Sequence, residues 1–242
     1  MRNSKKQFFW VAAFLAAGWA GCTKSGSSYT TSPVTYVTVM NEAPYGPAAT
    51  DVYLNNQLAS GTAGIASGAY STKYGPLQPG LYTIAFKKHG GDSLLSQIAG
   101  QQLLDTLGFY TMILYNDANK AVHSTLIHDD FSNISTASAN YRFFNLSPDA
   151  PNVDFYLNSA STPTFSGRTS ADNTSSENLA INDFNKFQST AASSYNLQVK
   201  VSGTDSVLAT LNGQSLAGGN VYTIFLTGVA NNMKINVLQA SY

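Results

Sequence analysis

At 242 residues the chain is long enough for one large or two ordinary domains, each able to bury a core. Charged residues make up only 11% of it, and 13 Lys+Arg balance 13 Asp+Glu, so no basic surplus exists to neutralise a nucleic-acid backbone, which argues against nucleic acid as a partner. Plentiful Tyr, Phe, Thr, Ser, Asn and Gly, without long charged helical patterns, favour strands joined by polar turns, an all-β chain.

The N-terminal "MRNSKKQFFWVAAFLAAGWAGC" places Arg2, Lys5 and Lys6 ahead of an uncharged apolar stretch, Phe8 to Ala20, that ends in small residues. This is the layout of a secretory signal over 1–21, too short for a comfortable transmembrane helix. "WAGC" resembles a bacterial lipobox, in which a signal peptidase cuts before a cysteine that becomes diacylated, although Trp19 stands where that motif usually has an aliphatic residue. Cys22 is the chain's single cysteine and so cannot close an internal disulfide, which favours lipidation over a stray thiol. The Ser/Thr/Gly-rich "TKSGSSYTTSPVT" then reads as a tether, with 22–35 as anchor plus spacer. Lys24 replaces the Asp that resembles an inner-membrane retention signal, which points to an outer-membrane lipoprotein. Nothing in the sequence selects the periplasmic or the surface face.

The remainder repeats itself. "VTVMNEAPYGPAATDVYLNN" (37–56) has the same order of features as "YRFFNLSPDAPNVDFYLNS" (141–159), matching Asn41 with Asn145, Pro44 with Pro148, Asp51 with Asp154, Tyr53 with Tyr156 and Asn55 with Asn158. Downstream, "LYTIAFKKHGGDSLLSQIAG" lies against "SYNLQVKVSGTDSVLATLNG", each a strand, a Gly-containing turn and a returning strand. "FYTMILY" and "VYTIFLT" are nearly continuous apolar runs of the kind expected for central sandwich strands. A Ser/Thr/Asn-rich insertion lengthens one loop of the second copy. The expected plan is a first β-sandwich over 36–131, a linker over 132–140 ("SNISTASAN") and a second β-sandwich over 141–242. Because the linker is polar and lacks apolar periodicity, few contacts are expected across it.

In "SPDAP" the prolines Pro148 and Pro151 fix φ, Ser147 and Asp149 offer side-chain bonds to nearby backbone, and "VDFYLN" alternates inward Val153, Phe155 and Leu157 with outward Asp154 and Tyr156. It reads as a bend between strands. "FFNLSPDAPNVDFYLN", with the hairpin and the terminal "YTIFLTG" strand, resembles the bacterial envelope family called domain of unknown function 4397, in two copies. That resemblance implies tandem immunoglobulin-like sandwiches in an exported lipoprotein with no established enzymatic activity, and it carries over no functional residues.

Chemistry-bearing residues are sparse. His89 falls in a hairpin turn, and "HDD" (His128, Asp129, Asp130) offers a nitrogen and two carboxylates to a metal, a pattern that is far more often a solvated turn. There is no nucleophile elbow, zinc-protease motif or phosphate loop, so no catalytic residue, metal site or cofactor is expected. Tyr45, Tyr70 and Tyr74 lie in loop or edge contexts and could stack on a glycan or anchor a protein, or else simply cover the core. "DSL" (92–94), "DTL" (105–107) and "DSV" (205–207) are similar to a periplasmic O-glycosylation acceptor motif, making Ser93, Thr106 and Ser206 candidate modification sites beside the plainer reading that Asp92 and Asp205 close turns. The expected function is a noncatalytic binding or adhesion module held to the membrane by its lipid, with a glycan or an envelope protein as ligand. The alternatives are a passive structural component and, behind that, a glycan-processing or metal-dependent enzyme without a recognisable motif.

Overall fold

The computed structural model describes residues 32–158, 160–170, 181 and 185–240. The signal segment, Cys22, nearly all of the tether and most of the second repeat's long loop lie outside them. The first repeat contains β1 (Thr35–Glu42), β2 (Ala49–Leu54), β3 (Gln57–Leu58), β4 (Ile65–Ala66), β5 (Ala69–Tyr70), β6 (Gly75–Leu77), β7 (Gly80–Tyr82), β8 (Ile84–Lys88), β9 (Leu94–Gln97), β10 (Gln102–Leu104), β11 (Phe109–Asn116) and β12 (Val122–His128). The second contains β13 (Ala139–Asn145), β14 (Val153–Leu157), β15 (Phe165–Arg168), β16 (Gln188–Thr190), β17 (Ser193–Val201), β18 (Val207–Leu216), β19 (Val221–Thr227) and β20 (Lys234–Gln239). The fold is all-β, and among the described residues no helix is long and apolar enough to cross a membrane.

Each repeat is a sandwich of two sheets built on the same plan. In the first, β12-β11-β1 continues into the short edge strands β5 and β6, and faces the sheet β3-β2-β8-β9. In the second, β16-β13-β19-β20 faces β15-β14-β17-β18. The opening strand of each repeat runs parallel to its late apolar strand, Met40 opposite Ile113 and Phe144 opposite Phe225. The predicted hairpins are β8–β9 and β17–β18, and the positive φ of Asn55 (49°) and Asn158 (58°) turns the chain after β2 and β14.

The late strands answer a question their sequences pose. A strand in a lone two-layer sandwich has one solvated face and alternates, yet "VYTIFLT" is buried at every position and "FYTMILYN" at all but its first. Both faces are covered because the two repeats pack sheet on sheet. Met112 and Leu114 point into the first sandwich, whereas Ile113 and Tyr115, with Met40 and Ile127, meet Phe144, Leu146, Phe225 and Leu238 of the second. Met40 and Phe144, Ile113 and Phe225, and Ile127 and Leu238 are equivalent positions, so the contact is self-complementary in the manner of a two-fold dimer. The expectation of few contacts across the connection is therefore not met: residues Pro33–Tyr242 form one compact unit with a shared third core.

The bends belong to this interface. Asn41 and Asn145 staple the ends of β1 and β13, each accepting a backbone N–H two residues on and donating across the bend, Asn41 to Thr50 Oγ1 and Asn145 to Pro151 O. Tyr45 occupies the position of Asp149 in the other copy, and the two side chains bond to each other, Tyr45 Oη donating to Asp149 Oδ2 at 2.8 Å. Asp149 also accepts the Ala230 N–H at 2.9 Å, and these bonds hold its carboxyl below the usual range.

Candidate functional site

The sandwiches differ most in how they fill the space between their sheets. In the second repeat Tyr141, Phe143, Phe155 and Phe165 pack together, with Phe143 stacked on Phe155 at 4.6 Å between centroids and Tyr141 edge-on to Phe165 at 5.5 Å. Such pairs contribute about 0.5–1.5 kcal/mol each beyond area burial. At the positions of Tyr141, Phe143 and Phe155 the first repeat has Val37, Val39 and Val52. Phe86 stands opposite Val52 where Val199 stands opposite Phe155, so the net loss is the two rings on β1, and an open cleft of about 760 Å³ remains beside Val37 and Val39. Its walls are Val37 and Val39 of β1, Leu54 of β2, Ile65 of β4 and Leu77 of β6, while Ser60, Ser71 and Lys73 supply polar groups beside them. Val37 and Val39 are only half-buried, unlike Tyr141 and Phe143. The cleft has the size of a small-molecule site, with apolar walls and few polar groups.

Polar chemistry concentrates instead between the repeats. Asp129 of "HDD" is fully buried and meets the Arg142 guanidinium at 2.6 Å. It also accepts Tyr74 Oη at 2.8 Å and Thr111 Oγ1 at 2.6 Å, while Arg142 Nε donates to Thr223 Oγ1 at 3.0 Å. Burial and the Asp129 charge push the Tyr74 hydroxyl far above its ordinary value, so it stays a proton donor. Glu42 is buried at the far end of the same interface, where Thr227 Oγ1 donates to Oε2 at 2.5 Å. Burial raises its pKa to about 7, only partly offset by Thr227 and Lys234.

A family model described as domain of unknown function 4397 (DUF4397) matches residues 35–156. The chain belongs to the DUF4397 family. The match covers the first repeat, the connection, and the second repeat as far as Tyr156 in β14. Comparison with curated proteins finds no match.

Within this DUF4397 framework the residues singled out in the sequence are mostly architectural. Asp51 and Asp154, the latter expected to face outward, are buried and clamp the hairpin turns. Asp154 accepts the N–H groups of Gly167 and Gly203 and the Ser202 hydroxyl. Asp51 accepts the Gly90 N–H and lies 2.8 Å from His89 Nδ1, which gives that histidine its partner. Both carboxyls sit below the usual range because these bonds outweigh their burial. The alternation rule assigned Asp154 the correct face but not the lid, because the hairpin turn folds over it.

His128 stacks on Tyr110, Asp130 bonds Ser132, and Asp129 faces Arg142, so "HDD" does not converge on one point. Among the described residues no three His, Cys, Asp or Glu side chains gather as a metal-binding group. Tyr45, Tyr70 and Tyr74 each turn toward the second repeat: Tyr45 onto Asp149, Tyr70 edge-on to Phe225 at 5.5 Å, and Tyr74 into the Asp129–Arg142 pair. Ser93, Thr106 and Ser206 are exposed. Asp92 and Asp205 approach Lys87 (4.0 Å) and Lys200 (3.2 Å), while backbone bonds from Lys88 N to Ser93 O and from Val201 N to Ser206 O close the turns. Cys22 lies outside the described residues. The cleft went unseen in the sequence, although its signal, Val for aromatic at equivalent positions, was present in the repeat alignment.

Proposed function

We propose that this DUF4397 protein is a noncatalytic binding module of the cell envelope, carried on the outer membrane by a lipid on Cys22, and that its ligand enters the first-repeat cleft. The observation that carries the reading is the 760 Å³ of open, apolar-walled space that the first sandwich keeps and the second fills with aromatic rings. Half-buried Val37 and Val39 in a concave, apolar-walled cleft of this size point to an occupant. Apolar walls with Lys73 and serine hydroxyls alongside suit an amphiphile that has an apolar body and an anionic end.

The soluble form, residues 23–242, titrated with a fluorescent anionic amphiphile such as anilinonaphthalene sulfonate, tests this. Saturable enhancement in the folded protein, lost in Val39→Phe and weakened in Lys73→Glu, is the expected result. Undiminished binding by Val39→Phe, or none by the parent, would contradict the reading. The anchor is read separately: Cys22→Ser is expected to abolish fatty-acid labelling and membrane sedimentation, since two acyl chains at about 0.8 kcal/mol per CH₂ suffice for stable attachment.

A further inference from the structure

Exposed large apolar side chains are distributed unevenly. Among the described residues, Leu58, Leu81, Leu94, Leu103, Leu107 and Tyr45 stand out on the first repeat and Val207 alone on the second. Leu81 and Leu103 face each other across the β7–β10 pair and are 54% and 58% exposed, while Leu104 turns inward and is fully buried. The equivalent cross-strand pair in the second repeat is Ser194 and Ser215. The same sheet position is therefore apolar in one copy and hydroxylic in the other.

Leu107 repeats the contrast more sharply. It is 67% exposed and has a φ of +62°, the left-handed region that disfavours a β-carbon. The second repeat places Gly219, with a φ of +74°, at this point. An exposed leucine in a conformation suited to glycine serves neither the core nor the backbone.

These leucines share the end at which the chain enters the sandwich. The Leu107 N–H bonds to Val34 O, and both Thr35 Oγ1 and the Tyr36 N–H bond to Gly108 O. β6 pairs with the start of β1, Thr35 opposite Leu77, so the step into β7 and Leu81 lies at this end too. From Cys22 to Pro33 the chain can span at most roughly 40 Å when fully extended. Resting on the reading of Cys22 as a lipid anchor, we propose that Leu81, Leu103 and Leu107 form a membrane-contact patch, inserted among lipid headgroups and upper acyl chains, that seats the first repeat on the bilayer.

For the test, the chain beginning at Cys22 is coupled through its single thiol to a maleimide phospholipid in phosphatidylethanolamine–phosphatidylglycerol vesicles, so contact is read whether or not cells lipidate Cys22. Trp10 and Trp19 both precede Cys22, so Leu103→Trp supplies the sole indole. Its emission is expected to move to shorter wavelength and to be quenched by lipids brominated along their acyl chains. Leu81→Ser in the same chain should weaken that quenching, and Leu94→Trp, at the opposite hairpin end, should show none. An unquenched Leu103→Trp on anchored protein overturns the proposal. So does a blue shift that needs no vesicles and grows with protein concentration, which would give the patch to a second copy. Absence of fatty-acid labelling in cells would refute the natural anchor alone; quenching in the vesicles would still support the leucine contact.

Discussion

The two repeats share strand plan, bends, hairpin clamps and interface positions, yet the second packs Tyr141, Phe143, Phe155 and Phe165 together while the first keeps an open cleft beside Val37 and Val39. Val37 and Val39 against Tyr141 and Phe143 account for the difference without any change of topology. Duplication thus lets one sandwich stay open beside a filled one. The second repeat is packed for stability, and by covering one face of the first it supplies the support that an under-filled core lacks.

The firmest way to break the comparison is to part the repeats. Arg142→Met leaves Asp129 buried without its guanidinium and is expected to cost about 3–5 kcal/mol, read as a fall in the chemical-denaturation midpoint. Replacing both partners, Arg142→Met with Asp129→Leu, should restore most of that loss, because no buried charge remains. Calorimetry of the parent is expected to show one transition, not two, as the shared core requires.

Exchanging core residues sharpens the comparison. Phe155→Val gives the second repeat the residue of the first and should cost about 2–4 kcal/mol through lost burial and a residual cavity. Val39→Phe, which gives the first repeat the residue found at Phe143 in the second, enters existing space and should leave stability within about 1 kcal/mol of the parent. Equal losses in both would mean that the first repeat is no more open than the second.

Glu42 adds a pH dependence to the interface, where the equivalent residue of the second repeat is Leu146. Its carboxyl is raised in the fold from 4.5 to about 7, so the folded chain holds a proton that the unfolded chain releases. The stability this contributes is complete below about pH 4.5 and disappears as pH rises through about 7, a span worth about 3 kcal/mol. Glu42→Gln should flatten this slope and raise stability at pH 8, measured by urea unfolding across the range. A small gain of about 1 kcal/mol is expected from Leu107→Gly through relief of the left-handed conformation, in spite of the loss of a side chain.

Much of this architecture is legible in the sequence, and what escaped it has physical reasons. The repeat, the hairpins and the bends follow from aligned Asn, Pro, Asp and Gly residues whose requirements are local. The docking of the repeats was written in "FYTMILY" and "VYTIFLT", since an unbroken apolar run implies two buried faces, but a polar linker suggested separation. Arg142 stands at the position of Thr38 in the first copy and gives no sign of its partner, because Asp129 reaches it only after both sheets have formed. The cleft depends on side-chain volumes at matched positions, which a comparison of residue types overlooks while strand pattern is the question.

Methyl NMR of the protein during titration with the anionic amphiphile tests the central claim most directly. The claim predicts saturable shifts in the methyls of Val37, Val39, Leu54, Ile65 and Leu77, with those of Val153, Leu197 and Val199 in the second core unmoved. Shifts spread equally over both cores, or confined to the second, would contradict it.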